Sequence, residues 1–367
     1  MSVWSAPAGR ARAQGYDAAF AAVAPSLRAA DLAFANVEIP FGRPEWVRSG
    51  RTREFWQDPE VAAALAKAGI AVVSLANNHT MDCGVRGLEL TLEACRRAKL
   101  VTAGAGPNLS AAREPAQLVV ANQRVVLLAY AATHGDAAGP GKPGVAPLDA
   151  ALVREDVSRW RPHADLLIVS AHWGSMYVDY PPPRVLELAD AIESAGADVI
   201  LGHHPHVTQG FRRRGRTLTL FSLGETLFNS RSGDFHAPPG GRAAPRGGVF
   251  TVIVSDEPGL DYEPLWLDED GFPAPADAER AERQRQRLLQ ISDGLDEAAR
   301  RFHRESAPQL LGYELQQLGH YVRQGRLDKI ARLLGTLRPR HARLLWHALT
   351  RSTKPDRGAW AGTPDSR

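Results

Sequence analysis

Four short apolar runs in this chain each end in a cluster of polar, chemistry-bearing residues. Residues 32–35 lead into Asn36-Val37-Glu38, residues 70–75 into Asn77-Asn78-His79, residues 166–171 into His172-Trp173-Gly174, and residues 197–201 into Gly202-His203-His204-Pro205-His206. Continuous apolar runs of this length belong to strands covered on both faces, and such strands lie in parallel sheets flanked by helices. The carboxyl ends of all strands in a parallel sheet share one edge, so the four clusters are expected to converge there. The pattern constrains fold and site together: an α/β layered sheet flanked by helices, with Glu, Asn and His side chains gathered at one rim.

The stretches between the runs keep that rhythm. Residues 16–30 read as a helix leading into a strand over 31–36. Asp58-Pro59 reads as a helix start, a capping carboxylate followed by a proline in the first turn, and Gly69 as the stop. Residues 87–98 and 186–195 read as further helices, and residues 124–130, 166–170, 199–201, 218–223 and 249–254 as strands. Two Gly- and Pro-rich segments interrupt the alternation, residues 134–147 and 230–248. The second carries Arg231, Arg242 and Arg246 and reads either as a lid or as a plain connector. Beyond Pro275, residues 277–306, 308–323, 327–337 and 338–350 read as four amphipathic helices rich in Arg, Gln and Leu. The expected organisation is a sheet domain over 1–275, a helical appendage over 276–350 and a disordered tail over 351–367.

The chemistry lies in the mixture of residue types at the rim. His204 and His206, one residue apart, can point the same way in an extended segment and share a cation; the competing reading of the histidine cluster is a surface turn. A carboxylate such as Glu38 can bridge two divalent cations, with imidazoles and an asparagine oxygen completing each shell. Such a pair yields hydroxide near neutral pH and clamps the oxygens of a phosphoryl-like centre. His79, next to a candidate ligand, is placed either as a general acid or as a residue that orients a ligand. Trp173 and Tyr177 pack on substrate or belong to the core, and Arg242 and Arg246 are candidates for binding an anionic substrate.

These blocks carry a family resemblance. Residues 31–38, Ser74-Leu75-Ala76-Asn77-Asn78-His79-Thr80-Met81-Asp82-Cys83-Gly84, Ala171-His172-Trp173-Gly174, residues 196–206 and Phe221-Ser222-Leu223-Gly224 resemble the successive blocks of the CapA-type proteins. That family is named for bacterial poly-γ-glutamate capsule synthesis and is similar in fold to the calcineurin-like metallophosphoesterases. The resemblance spans residues 16–228. It implies metal-ligand positions at Glu38, Asn78, His172, His204 and His206, two divalent cations (Mn, Fe or Zn), and a catalytic role for His79. Asn36, Asn77 and His203 read as supporting residues or candidate further ligands. Two departures stand out. The family opens on a strand ending in Gly-Asp, whereas residues 1–13 are small, basic and without strand character, so that the first strand and one carboxylate are expected to be missing. Glu225 stands where the family usually has asparagine and is a candidate replacement ligand.

The leading functional reading is therefore a metal-dependent hydrolase of CapA type acting through water activated by two cations on an anionic polymer or a phosphoester. The competing reading is a non-catalytic component of polymer synthesis or export with a degenerate metal site. With 44% hydrophobic and 23% charged residues in 367, the chain can build a sizeable core. No window approaches the ~20 apolar residues of a spanning helix, and residues 1–14 lack the apolar stretch of a secretory signal. The chain as written reads as cytoplasmic, and as membrane-associated or exported if its start lies upstream. Cys83 and Cys95, set along one helix-like segment, read as unpaired core residues. From Asp277 onward 18 Lys and Arg face 11 Asp and Glu, which suits contact with an acidic component of a polymer-synthesis complex. Nucleic acid is not an expected partner, because those arginines spread around helices and lone aromatics make no stacking platform.

Overall fold

The apolar runs form strands, but in two sheets instead of one. The computed structural model describes residues 2–3, 15–48, 55–132, 135–226, 247–267 and 272–306, with positions 318, 319 and 322. Its strands are β1 (Ser2–Val3), β2 (Ala33–Val37), β3 (Ile70–Ser74), β4 (Val101–Ala103), β5 (Ala105–Gly106), β6 (Ala116–Val120), β7 (Gln123–Ala131), β8 (Gly144–Val145), β9 (Leu166–His172), β10 (Val199–His203), β11 (Phe211–Arg214), β12 (Thr217–Leu220), β13 (Gly247–Ile253), β14 (Gly259–Leu267) and β15 (Pro273–Pro275). The α-helices are α1 (Ala24–Ala29), α2 (Val61–Ala68), α3 (Gly84–Arg97), α4 (Leu109–Arg113), α5 (Ala150–Trp160), α6 (Pro183–Ala195), α7 (Ala278–Asp293) and α8 (Ala298–Arg301).

One sheet has the order β1-β2-β3-β4 and is parallel throughout. The second has the order β11-β12-β10-β9-β7-β6, parallel except for its two outer strands. Alternation along the second sheet explains its composition. Val125, Leu127, Leu166, Ile168, Val199 and Leu201 share one apolar cluster with Ala35, Val37 and Val73 of the first sheet. Val126, Leu128, Leu167, Val169 and Ile200 join Val153 and Val157 of α5 and Leu188 and Ile192 of α6 in another cluster. Each central strand is thus covered on both faces, and Ser170 of β9 and Thr217 and Thr219 of β12, polar positions within these strands, are themselves buried. The result is two facing sheets with helices outside, and β13-β14-β15 form a separate antiparallel sheet.

Several expectations are corrected. Ser2 and Val3 pair in parallel with Asn36 and Val37, so the stretch expected to lack strand character supplies β1. The stretch expected as one helix over 16–30 is a 3-10 turn, Tyr16–Phe20, followed by α1. Pro25 has no N–H to continue a helix but suits the first turn of a new one. Asp58 does not cap α2, whose N-cap is Glu60; its carboxylate takes the Tyr16 hydroxyl. Gly69 ends α2 as expected, at φ 109°. Within 134–147, β8 pairs antiparallel with β5. Cys83 and Cys95 are buried and free. Burial, helped at Cys83 by the neighbouring Asp82, pushes their thiols up to about 11 and about 12.

Residues 277–306 pack onto this body. Asp277 caps α7 by accepting from Arg280 N at 2.8 Å, and Ser292 Oγ accepts from Phe211 N at 3.0 Å. Ile291 and Phe302 share the apolar cluster of α5 and α6. The helices expected over 308–350 fall outside the described residues apart from positions 318, 319 and 322, and Arg231, Arg242 and Arg246 lie outside as well. No helix among the described residues is long and apolar enough to cross a membrane. Because Phe302 is fully buried, Phe302→Ala is expected to lower stability by about 3–5 kcal/mol in denaturant unfolding. An unchanged main transition would show that residues 277–306 do not share its core.

Candidate metal centre

The carboxyl ends of β2 and β3 from one sheet meet those of β9 and β10 from the other. Asn77 locks the first pair. Its Nδ2 donates to Val37 O at 2.9 Å, while its Oδ1 accepts from His79 N at 3.0 Å and Thr80 Oγ1 at 2.9 Å. Trp173 locks the second pair, donating from its backbone N to His203 O at 3.0 Å and from Nε1 to Phe221 O at 2.9 Å. At Gly202 a Cβ would lie 2.0 Å from Phe221 O, so only glycine permits this approach. His204 and His206 follow at φ 98° and φ 58°, and Tyr177, which donates from N to Pro205 O at 2.8 Å, sits at φ 59°. The histidine segment is therefore a strained turn and not the extended stretch expected from its spacing. Non-glycine residues in this region cost about 1–3 kcal/mol each and persist where the surroundings hold them.

Glu38 sits at the middle of the meeting point with no solvent exposure. Its Oε2 accepts from Asn36 Nδ2 at 3.2 Å. Its Oε1 faces two imidazoles, His172 Nε2 at 3.6 Å and His206 Nε2 at 3.7 Å. His206 Nδ1 lies 3.3 Å from Glu225 Oε2, and that carboxylate is also buried. Ligand atoms of Glu38, His172 and His204 all fall within 4.8 Å of one another. A continuous chain of side chains then crosses from sheet to sheet. His79 Nδ1 meets Asp82 Oδ2 at 2.7 Å, His79 Nε2 meets Asn78 Nδ2 at 3.2 Å, Asn78 Oδ1 meets His172 Nε2 at 2.8 Å, and that nitrogen lies 3.1 Å from His204 Nδ1.

These residues fit a divalent cation. The 3.6 and 3.7 Å gaps at Glu38 Oε1 exceed hydrogen-bond length, yet they bring a carboxylate and two imidazole nitrogens to one point. Burial, reinforced by His204, His203, His206 and His79, holds His172 well below the usual imidazole range, in the neutral form that ligates. The donor set of N and O atoms suits Zn, Mn or Fe. Glu38 Oε1 is thus the atom that both His172 and His206 approach.

Of the residues expected from sequence, Glu38, Asn78, His79, His172, His204, His206 and Glu225 come together here. Asn36 supports Glu38, and Asn77 serves the loop. His203 packs elsewhere: its ring lies 5.7 Å from Phe34 of β2, and neither ring nitrogen has a hydrogen-bond partner among the described residues. Trp173 and Tyr177 are both buried, Tyr177 with its ring 5.7 Å from that of His206. The residue that sequence reasoning passed over is Asp82, whose i,i+3 spacing from His79 was the available signal.

The family described as bacterial capsule synthesis protein, PGA_cap, matches residues 3–230. The chain is similar to the PGA biosynthesis protein CapA of Bacillus subtilis (strain 168), 33% identical over 220 residues that make up 59% of this chain and 58% of that protein. It is similar to the capsule biosynthesis protein CapA of Bacillus anthracis, 32% identical over 224 residues, 59% of this chain and 54% of that one. A protein of Mycobacterium tuberculosis named "Probable polyglutamine synthesis accessory protein" is 33% identical over 162 residues, 40% of this chain and 42% of that one. The chain thus spans little more than half the length of the two Bacillus proteins.

Burial lowers the proton affinity of both His172 and His203, so the folded chain binds fewer protons there than the unfolded chain. Stability of the metal-free protein is expected to be complete above about pH 6.5 and to fall as the pH drops below it, by up to about 1.4 kcal/mol per pH unit for each histidine. Urea unfolding in chelator at descending pH measures this, and a profile without that decline would contradict it.

Proposed function

The chain belongs to the PGA_cap family of bacterial capsule synthesis proteins, and from that premise we propose that it serves poly-γ-glutamate capsule synthesis as a metal-dependent hydrolase. The observation that carries this reading is the placement of buried Glu38 between His172 and His206, with His204 beside His172. In this reading Glu38, Asn78, His172, His204 and His206 would hold two divalent cations. Cations so held would supply Lewis acidity, stabilising charge on substrate oxygens and easing deprotonation of water. The substrate class is an anionic polymer or a phosphoester. The basic residues after Asp277 suit contact with an acidic component of the polymer-forming assembly.

The chain's own residues divide the remaining work. His79 reaches solvent, with Asp82 holding its Nδ1. With that nitrogen committed, Nε2, which faces Asn78 Nδ2 at 3.2 Å, would be the atom that passes a proton to a leaving group once that contact opens. Glu225 holds His206 from the far side, fixing which ring nitrogen turns towards Glu38. Asn36 does the same for the carboxylate of Glu38.

A second reading, a non-catalytic component of polymer synthesis that keeps the fold, is favoured by one observation. In the sequence β1 is followed by Trp4-Ser5, and the first carboxylate residue after it is Asp17.

Elemental analysis of the purified chain beside His204→Ala separates the two. The hydrolase reading expects about two transition-metal ions per chain and a loss of metal in the variant. Absence of stoichiometric metal, with no turnover of poly-γ-glutamate or of phosphoesters, would leave the second reading. In an active preparation, His79→Ala is expected to lower kcat by about 10²–10⁴ with metal content unchanged. Asp82→Asn is expected to lower kcat in the same direction by misplacing the ring; wild-type rates in both variants would remove the proton-transfer role.

A further inference from the structure

Two cations stand on one aromatic ring beside the candidate centre. The guanidinium carbon of Arg43 lies 5.7 Å from the ring centroid of Trp46, and that of Arg86 lies 5.3 Å from it. Both arginines are exposed. Among the described residues neither forms an ion pair with a carboxylate, although the arginines around them do: Arg48 pairs with Asp136 at 2.7 Å, and Arg96 and Arg97 with Glu93. Glu45, on the same turn as Trp46, pairs with neither. Two like charges brought to one ring with no acid between them are suited to an anion supplied from outside.

The placement is rigid. Gly42 N donates to Gln57 O at 3.0 Å, Gln57 N to Pro40 O at 3.1 Å, and Phe41 N to Thr91 Oγ1 of α3 at 2.9 Å. From this anchor the 3-10 turn Pro44–Trp46 projects, closed by Trp46 N donating to Arg43 O at 3.0 Å. Arg86 comes from the first turn of α3. The surface adjoins the candidate proton donor. Arg48 N donates to Asp82 O at 2.8 Å, and Asp82 holds His79. Phe55 sets its ring edge-on to His79 at 5.0 Å and accepts from the thiol of Cys83, the N-cap of α3, at 3.7 Å.

We propose that Arg43, Trp46 and Arg86 form a docking ledge for the carboxylates of an acidic polymer chain, which it presents to His79. The inference takes its direction from the hydrolase reading, but the ledge itself binds without catalysis. A guanidinium presents a planar fork that matches a carboxylate bidentately, and stacking on Trp46 holds each fork before the ligand arrives. Two guanidiniums held on one ring can engage successive acids along one chain.

Equilibrium binding of a labelled short glutamate oligomer to the chelator-treated full chain tests this at low and at higher salt. Arg43→Ala and Arg86→Ala are each expected to weaken binding about tenfold or more. The double variant should also flatten the salt dependence, because two ion contacts are gone. Trp46→Ala should weaken binding through loss of the shared support, and Trp46→Phe should retain most of it. Wild-type affinity in the double variant would overturn the ledge. Equal weakening with inorganic polyphosphate and with the glutamate oligomer would overturn its carboxylate preference. Binding lost in the variants of a chain that holds no metal and turns over nothing would sink the hydrolase reading and leave the ledge standing.

Discussion

A carboxylate buried without solvent contact is the constraint on which the rest of the rim depends. Burying an ionised carboxyl group costs several kcal/mol unless its charge is met nearby. Around Glu38 stand an asparagine amide and two imidazoles, and one of these, His172, is driven towards its neutral form by its own burial. A neutral imidazole does not balance a carboxylate charge, so this set of donors suits a divalent cation. The two sheets then meet in one register, because Glu38 follows β2 whereas His172 ends β9 and His206 follows β10 of the far sheet.

Other features of the meeting point serve that register. His204, His206 and Tyr177 adopt left-handed backbone conformations that side chains ordinarily avoid. They are held there by Trp173, whose backbone and indole both donate to strand-end carbonyls, and by Gly202, which lets β10 approach Phe221. Strain accepted in a packed interior, and repeated at neighbouring positions, marks a place where geometry outranks local stability.

The rim has an inner and an outer side. Glu38, His172, His206 and Glu225 are buried, whereas Asn78, His79 and His204 keep partial exposure. His79, held by the buried Asp82, begins on the outer side the chain of contacts that crosses to His204. The arginines stacked on Trp46 border the same side.

Much of this was legible in the sequence because it follows from local chemistry. Strands covered on both faces must be apolar throughout, so β2, β3, β9 and β10 announced themselves, and the polar clusters that end them marked the rim. Gly69 ended its helix as φ demands, and the blocks around Asn78, His172 and His204 pointed to the family. What the sequence could not decide was which runs share a sheet, since alternation says that a strand is covered but not by what. It could not decide that His203 meets the ring of Phe34 while His172, its partner across the ladder and on the same face, meets Glu38, because the facing sheet decides what each ring touches. The pairings of Asp82 with His79 and of Glu225 with His206 likewise wait on the fold: a carboxylate beside a turn in sequence gains a partner only when packing aims both side chains at one point.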